Sequence, residues 1–148
     1  MSERTTGRYL GIDFGSRRIG LSLSDPLGII ARPYETVGND PSVWNRLREI
    51  IGREQVVLCV VGMPLNLKGE KASKAKEVDA FVDKLKRATG TTVILWDERF
   101  TTAIAQHTLR EMNVRKKGRD AKSGTVDAMA AAVILQSYLD SRKNSLVC

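Results

Sequence analysis

The sequence predicts an α/β fold, a mixed five-stranded sheet flanked by helices with the element order βββαβαβαα. Two observations predict it. Residues 8–37 contain three short apolar stretches separated by turn residues, which is typical of an antiparallel meander. Residues 40–139 alternate apolar runs with amphipathic helical segments, which is typical of parallel strands joined by helical crossovers.

Three strands come first. Strand-like residues run from 8 to 14 and end at the Gly15-Ser16 turn. Apolar residues then recur at every second position from Ile19 to Leu23, the period of a half-buried strand. Asp25-Pro26 marks a second turn, and residues 29–37 are predicted to form the third strand. Because tight turns join these neighbours, we expect the three strands to be antiparallel.

Helices and two further strands follow. Asp40-Pro41 has the residue types of an N-cap and a first helical position, so it predicts the start of the first helix. The apolar run 56–61 predicts a strand buried on both faces. An amphipathic helix is predicted over about residues 71–88, and a fifth strand from Thr92 to Trp96. Helical crossovers join parallel strands, so strands one, four and five are expected to be parallel.

Two helices complete the predicted order. One begins at Thr101 or Thr102 and continues through Met112, and the last covers about residues 125–139. Between them, residues of about 114–124 are basic and rich in glycine. This composition predicts a mobile loop.

Length and composition predict a single domain over residues 1–148. Of these residues 42% are hydrophobic and 28% are charged, an ordinary globular composition. The N-terminus lacks the apolar core of a signal peptide, and no apolar run is long enough to cross a membrane, so we expect a cytoplasmic protein. Neither Cys59 nor Cys148 has metal-binding or redox spacing, and a single histidine, His107, excludes a zinc site built on histidines.

Acidic residues stand at three places near one edge of the predicted sheet. Asp13 ends the first strand, Glu98 follows the fifth, and Asp127 lies in the first turn of the last helix. Ligands of open α/β sheets bind where strands end, so we expect these carboxylates to converge there. Converging carboxylates repel one another unless a divalent cation neutralises them, and Mg²⁺ or Mn²⁺ prefers oxygen ligands. Such ions activate water and stabilise the leaving oxygen of a phosphodiester.

Each acid also has a purely structural interpretation. Asp13 has the residue type that hydrogen-bonds a following turn such as Gly15-Ser16. Glu98 and its neighbour Asp97 suit a strand end followed by a helix start, and Asp127 suits any helix N-terminus. Their shared position at one sheet edge favours the functional interpretation.

Basic residues predict a polyanionic partner. The chain contains 24 Lys and Arg residues and 17 Asp and Glu residues, a net charge of +7. The segment from Arg110 to Lys122 contains six cationic residues and only two acidic ones. This concentration beside the acidic residues favours phosphate-backbone binding over a solvated loop. Asn66, after the fourth strand, either contacts the substrate or closes a turn. The predicted nucleic-acid contacts are Arg17, Arg18, Asn66, Arg99, Arg115, Lys116, Lys117, Arg119 and Lys122.

Four segments carry a family resemblance that covers residues 9–138. They are Gly11-Ile12-Asp13-Phe14-Gly15, Gly62-Met63-Pro64-Leu65-Asn66, Asp97-Glu98-Arg99 and Val126-Asp127. They resemble the YqgF family, whose members are described as Holliday-junction-resolvase-like proteins and pre-16S ribosomal RNA nucleases with an RNase H-like fold. Met63 stands where the family commonly has Leu. Thr125 stands where a Lys is frequent, which leaves Lys122 as the nearest substitute.

The resemblance implies that Asp13, Glu98 and Asp127 form a catalytic triad that binds Mg²⁺ or Mn²⁺. It implies a nuclease that processes the 5′ end of pre-16S ribosomal RNA as a monomer or homodimer. The alternatives are a Holliday-junction resolvase, which calls for a dimer, and a non-catalytic nucleic-acid-binding module. A sugar-kinase or actin-type ATPase, suggested by residues 13–16, is opposed by the length, since that architecture needs two domains.

Overall fold

The computed structural model describes residues 7–63, 73–98 and 123–147. The strands are β1 (Arg8–Asp13), β2 (Arg18–Ser24), β3 (Ala31–Gly38), β4 (Val56–Met63) and β5 (Thr92–Asp97). The helices are α1 (Val43–Arg53), α2 (Ser73–Thr89) and α3 (Ser123–Val147). The helix predicted through Met112 lies outside the described residues.

The five strands form one mixed sheet in the order β3-β2-β1-β4-β5. Strand β2 is antiparallel to both β1 and β3, whereas β4 is parallel to both β1 and β5. This arrangement confirms the predicted meander and the predicted parallel strands. It brings the carboxyl ends of β1, β4 and β5 together at one edge of the sheet, which we call the carboxyl edge.

Helices cover both faces of the sheet. Alternate residues of β4 point to opposite faces, so Val61 joins the core cluster that contains Leu47 of α1 and Leu85 of α2. Its neighbour Val60 packs instead with Leu135 of α3. All five side chains are inaccessible to solvent. Burial on both faces explains why β4 is a continuous apolar run rather than an alternating one.

The start of α1 differs slightly from the prediction. Ser42, rather than Asp40, is the N-cap residue, and Pro41 lies in the turn before the helix. Asp40 nevertheless stabilises that turn: its carboxylate accepts the Ser42 N–H at 2.9 Å, and its carbonyl accepts the Val43 N–H at 2.9 Å. The expected residue therefore caps the entry to the helix, although the regular helix begins later.

The turn between β2 and β3 is organised by one carboxylate. Asp25 accepts backbone N–H groups from Leu27 at 3.1 Å, Ile29 at 2.8 Å and Ile30 at 2.7 Å. These hydrogen bonds keep residues 29 and 30 in the turn, so β3 begins at Ala31 rather than at the predicted residue 29.

Helix α3 is longer than predicted at both ends. It has 25 residues and includes Ser123 and Gly124, which were assigned to the basic loop. Asp127 therefore lies in the second turn of the helix rather than the first. The apolar face ends at Leu139, but no Gly or Pro follows it, so the backbone continues as helix. No helix within the described residues is long and apolar enough to cross a membrane.

Candidate active site at the carboxyl edge

Two of the predicted carboxylates lie on either side of the same strand. Asp13 is the last residue of β1 and Glu98 directly follows β5, and β4 runs between those two strands. Both residues are half-buried. The parallel crossovers therefore bring residues that are 85 positions apart in the sequence to one edge of the sheet.

Gly62 allows the Glu98 side chain to lie over β4. A Cβ at position 62 would lie 2.8 Å from Glu98 Oε2 and 2.6 Å from Ile134 Cδ1. At both distances the side-chain end would have to shift to admit a Cβ, so glycine lets Glu98 and Ile134 lie directly over the strand. The Glu98 carboxylate consequently covers the strand that separates it from Asp13.

Gly20 brings helix α3 to the same place. It is the cross-strand partner of Asp13, and a Cβ on it would lie 2.0 Å from the carbonyl oxygen of Asp127. The backbone of α3 thus contacts β2 directly beside Asp13. One helical turn further on, Ser22 Oγ donates a hydrogen bond to the carbonyl of Ala131 at 2.8 Å. These contacts fix the position of the Asp127 main chain relative to the two other acids.

Burial and neighbouring charges act in the same way on Asp13 and Glu98. The pKa of Asp13 is raised to about 6, chiefly by burial and then by the charge of Glu98. Lys74 opposes this rise and Asp127 adds a smaller part. Burial also raises the pKa of Glu98, where Lys74 again opposes the rise and Asp97 adds to it. Negative charge at this edge is therefore costly without a cation.

Lys74 is a candidate site residue that the sequence analysis missed. It lies in the first turn of α2 with an exposed side chain, and its charge acts on both Asp13 and Glu98. Its position follows from the topology: β4 ends at the carboxyl edge and α2 is the next described helix, so the first turn of α2 lies near that edge. In the sequence, Lys74 is one of several lysines in a polar stretch, and nothing local distinguishes it.

Arg18 has a different partner from the one predicted for it. Its Nε donates to Asp127 Oδ2 at 2.7 Å, and the two side chains are 50% and 27% exposed. The sequence predicts that Arg18 contacts nucleic acid and that Asp127 binds a metal ion. In the structure these two residues neutralise each other at the rim of the carboxyl edge.

The chemistry of Asp13 and Glu98 fits a divalent cation. Both offer hard oxygen donors, and both carry raised pKa values that a nearby positive charge would relieve. Over residues 7–63, 73–98 and 123–147, however, no three carboxylate, imidazole or thiol groups lie close enough together to hold one ion. The Asp127 carboxylate, the third predicted ligand, is hydrogen-bonded to Arg18 instead.

The other predicted contacts are only partly described. Arg17 is exposed beside Arg18, and its backbone carbonyl accepts the Asn39 N–H at 2.9 Å. Asp97 is half-buried at the end of β5. The following predicted contacts lie outside the described residues: Asn66, Arg99, Arg115, Lys116, Lys117, Arg119 and Lys122.

Comparison with known sequences gives consistent matches over most of the chain. A family model described as "RuvX: Holliday junction resolvase" matches residues 7–141. A protein of Mycobacteroides abscessus is 43% identical over 141 residues, which cover 93% of this chain and 83% of that protein. A protein of Fusobacterium nucleatum is 42% identical over 138 residues, covering 92% of this chain and 99% of that protein. Both relatives carry the name "Putative pre-16S rRNA nuclease".

Comparison with solved structures identifies the fold. The structure of T. thermophilus RuvC in complex with a Holliday junction substrate matches with a TM-score of 0.62. The two chains are 17% identical, and the match covers 93% of this chain and 96% of that one. The predicted RNase H-like arrangement, a mixed five-stranded sheet flanked by helices, is confirmed.

Proposed function

Because this chain belongs to the RuvX Holliday junction resolvase family, we propose that it is the nuclease for which its curated relatives are named, acting on pre-16S ribosomal RNA. The proposed reaction is hydrolysis of a phosphodiester bond at the 5′ end of the precursor, in a structured region of the RNA. We further propose that residues 1–148 form one nuclease domain and that it works in the cytoplasm.

One observation carries the assignment of the site. Asp13 and Glu98 lie on either side of β4 at the carboxyl edge, where burial raises the pKa of both carboxyls, and the Asp127 main chain is fixed beside them through Gly20. Packing does not require acids at such a place, because partly burying a carboxylate is unfavourable unless a cation or hydrogen bonds compensate its charge. A divalent cation is the group that makes this arrangement favourable.

We assign Asp13, Glu98 and Asp127 as the metal-binding and catalytic residues, with Mg²⁺ or Mn²⁺ as the cation. When bound, the cation would supply Lewis-acid polarisation of the phosphodiester and neutralise its developing charge. Asp13 and Glu98 provide anionic oxygens at fixed positions, held by the strand ends and by the close contact over Gly62.

The exposed cations at the same edge are assigned to the phosphate backbone. Lys74, Arg17 and Arg18 are exposed there, and the basic residues of 110–122 precede α3 in the chain. Phosphate contacts position a nucleic acid without reading its sequence, so this set supports recognition of a structured region. It also offsets the repulsion between the acidic site and the substrate.

A second candidate, cleavage of four-way DNA junctions, is favoured by the family description and by the shared fold with RuvC. Resolving a two-fold symmetric junction calls for a dimer, whereas trimming an RNA end does not. The oligomeric state on RNA and on a junction is therefore informative, and sedimentation of the two complexes measures it.

The test is a side-by-side cleavage assay with a pre-16S RNA fragment and a four-way DNA junction, each with Mg²⁺, Mn²⁺ or EDTA. We expect metal-dependent cleavage of the RNA and a loss of about 100-fold or more in Asp13→Asn. Metal-dependent cleavage of the junction alone would favour resolution instead. Unchanged cleavage in Asp13→Asn would overturn the assigned site, and binding without cleavage under all conditions would favour a non-catalytic module.

A further inference from the structure

The feature that the proposed function leaves unexplained is the pairing of Arg18 with Asp127. Asp127 is assigned as a cation ligand, yet its Oδ2 accepts a hydrogen bond from Arg18 Nε at 2.7 Å. A carboxylate oxygen in this contact already faces a positive charge. Arg18 therefore competes with a metal ion for that oxygen and places a positive charge beside it.

The pairing does not result from a displaced helix. Arg18, Gly20 and Ser22 lie at alternate positions of β2 and face α3. The backbone of Asp127 is in close contact with Gly20, and the Ala131 carbonyl accepts the Ser22 hydroxyl. Since the main chain of α3 is held at two points one turn apart, release of Asp127 requires only side-chain rotation.

The ion pair is also easy to separate. Its side chains are 50% and 27% exposed, and water and salt screen ion pairs at such positions. A guanidinium forms paired, charge-assisted hydrogen bonds with a phosphodiester as readily as with a carboxylate. A nucleic-acid backbone that reaches the carboxyl edge therefore competes with Asp127 for Arg18.

We propose that Arg18 couples nucleic-acid binding to completion of the metal site. In the free protein it neutralises Asp127 and lowers the affinity for the divalent cation. A bound phosphodiester draws the guanidinium away, and the released carboxylate joins Asp13 and Glu98. This inference rests on the proposed function, because it takes Asp127 to be a ligand of the cation.

The coupling has a reciprocal consequence. If nucleic acid raises the affinity for the cation by releasing Asp127, the cation raises the affinity for nucleic acid by the same factor. The free enzyme then binds the cation weakly, and its metal site is completed only when the substrate binds. Without Arg18 the two binding events become nearly independent.

The experiment measures Mn²⁺ binding to the full chain by the electron paramagnetic resonance signal of free Mn²⁺. Wild type, Arg18→Gln and Arg32→Gln are compared, each alone and with a phosphorothioate RNA hairpin that resists cleavage. Arg32→Gln is the control, because it removes the same charge from an exposed residue of β3 that is not assigned to the site and does not contact Asp127. Circular dichroism confirms that each variant is folded.

We expect Arg18→Gln to raise the Mn²⁺ affinity of the free protein by about 5-fold or more, and Arg32→Gln by less than about 2-fold. The hairpin should raise the affinity of wild type and of Arg32→Gln by a similar factor, but leave that of Arg18→Gln nearly unchanged. Equal effects of the two substitutions would overturn the inference, because they would reflect general charge removal. An undiminished response of Arg18→Gln to the hairpin would overturn it as well.

Cleavage by the same preparations separates the two proposals. Metal-dependent cleavage by wild type, together with equal Mn²⁺ binding by all three proteins, overturns the role of Arg18 and leaves the nuclease assignment intact. Absence of Mn²⁺ binding and of cleavage in every protein, with and without the hairpin, overturns both proposals.

Discussion

Gly20 shows how a residue without a side chain determines the geometry of the proposed site. It pairs with Asp13 in the sheet and lies beneath the backbone of Asp127. Any side chain at this position must push α3 away from β2, because backbone atoms have nowhere to move. The distance between Asp13 on β1 and Asp127 on α3 therefore depends on the lack of a side chain at Gly20.

We expect Gly20→Ala to destabilise the protein by about 2 kcal/mol or more, since the new Cβ would meet a backbone oxygen at 2.0 Å. Urea unfolding measures the free energy. Gly52→Ala is the matched control: nothing lies within 4 Å of its Cβ, and its place in α1 predicts a gain of about 0.5–1 kcal/mol. Equal effects of the two substitutions would contradict the close contact between β2 and α3.

Asp13 is predicted to reduce stability in the metal-free protein. A carboxyl whose pKa is higher in the folded than in the unfolded state destabilises the fold when ionised. The effect is absent below its ordinary pKa of 3.8 and complete above about 6. We therefore expect Asp13→Asn, measured by urea unfolding in EDTA, to be about 1–2 kcal/mol more stable than wild type at pH 8 and about equal to it at pH 4.

Asp83→Asn is the control for this prediction. Asp83 pairs with Arg87 on the exposed side of α2, and its side chain is 68% exposed, so its loss should matter little at either pH. A stability gain in Asp13→Asn that persists unchanged at pH 4 would show that charge is not its cause.

The sequence predicts which residues lie at the site, but not which of them contact each other. The strand-end positions of Asp13 and Glu98 follow from the crossover pattern, because the period of the apolar residues marks where each strand ends. The contact between Arg18 and Asp127 joins residues 109 positions apart and depends on how closely α3 approaches β2. The close packing of α3 on β2 requires Gly20, and the sequence alone does not show that the backbone of Asp127 packs against this glycine.

The β2–β3 turn depends on the charge of Asp25. Burial raises the pKa of this carboxyl, but hydrogen bonds from the backbone amides of Ile30, Ile29 and Leu27 together lower it below its ordinary value. A lowered folded pKa contributes stability above the unfolded pKa of 3.8 and loses it as the pH falls through the lower folded value. The turn should therefore weaken only in acid.

We expect Asp25→Asn to cost about 1–2 kcal/mol at pH 7, because hydrogen bonds to a charged acceptor are stronger than those to a neutral amide. The difference from wild type should shrink as the pH falls below 4, as followed by thermal unfolding. Glu77→Gln, on the exposed face of α2, is the control and should change stability little. A cost that is independent of pH would show that shape rather than charge holds the turn.

Element boundaries were predictable where local chemistry sets them and less so where tertiary contacts do. Helix α2 ends at Thr89, close to the predicted end at about residue 88, and Gly90 follows it with a positive φ. The start of β3 was placed two residues early, because the side chain of Asp25 captures the amides of Ile29 and Ile30. Helix α3 continues beyond the last residue of its apolar face, because the residues that follow have sufficient helix propensity and include no Gly or Pro.

Positive charge is concentrated in a few parts of the chain. The net charge of +7 comes largely from the segment before α3 and from α1 and α2, whereas the acids Asp13, Asp97, Glu98 and Asp127 lie at the carboxyl edge together with exposed cations. The topology of the sheet was predictable because handed crossovers leave few ways to connect parallel strands. The position of the basic segment relative to the acids follows only from its neighbours in the chain.

Neutralising Arg115, Lys116, Lys117 and Arg119 together should weaken RNA binding and reduce the salt dependence of the affinity. Each phosphate contact contributes about 0.7–0.9 to the slope of log K against log salt concentration, so the loss of four contacts should decrease the slope by about 3 in fluorescence anisotropy titrations. The control neutralises Arg48, Lys84, Lys86 and Arg87, which are exposed on α1 and α2. Equal decreases in both quadruple variants would argue against a specific role for the basic segment.

The two contacts between β2 and α3 also constrain how this protein can change over evolution. Asp127 and Ala131 both meet β2 only because four residues make about one helical turn. Inserting or deleting one residue between them would rotate one contact by about 100° and separate it from the strand. Substitutions of the half-buried residues 129 and 130 should therefore be tolerated more readily than changes of length between positions 127 and 131, which would disrupt both the fold and the proposed site.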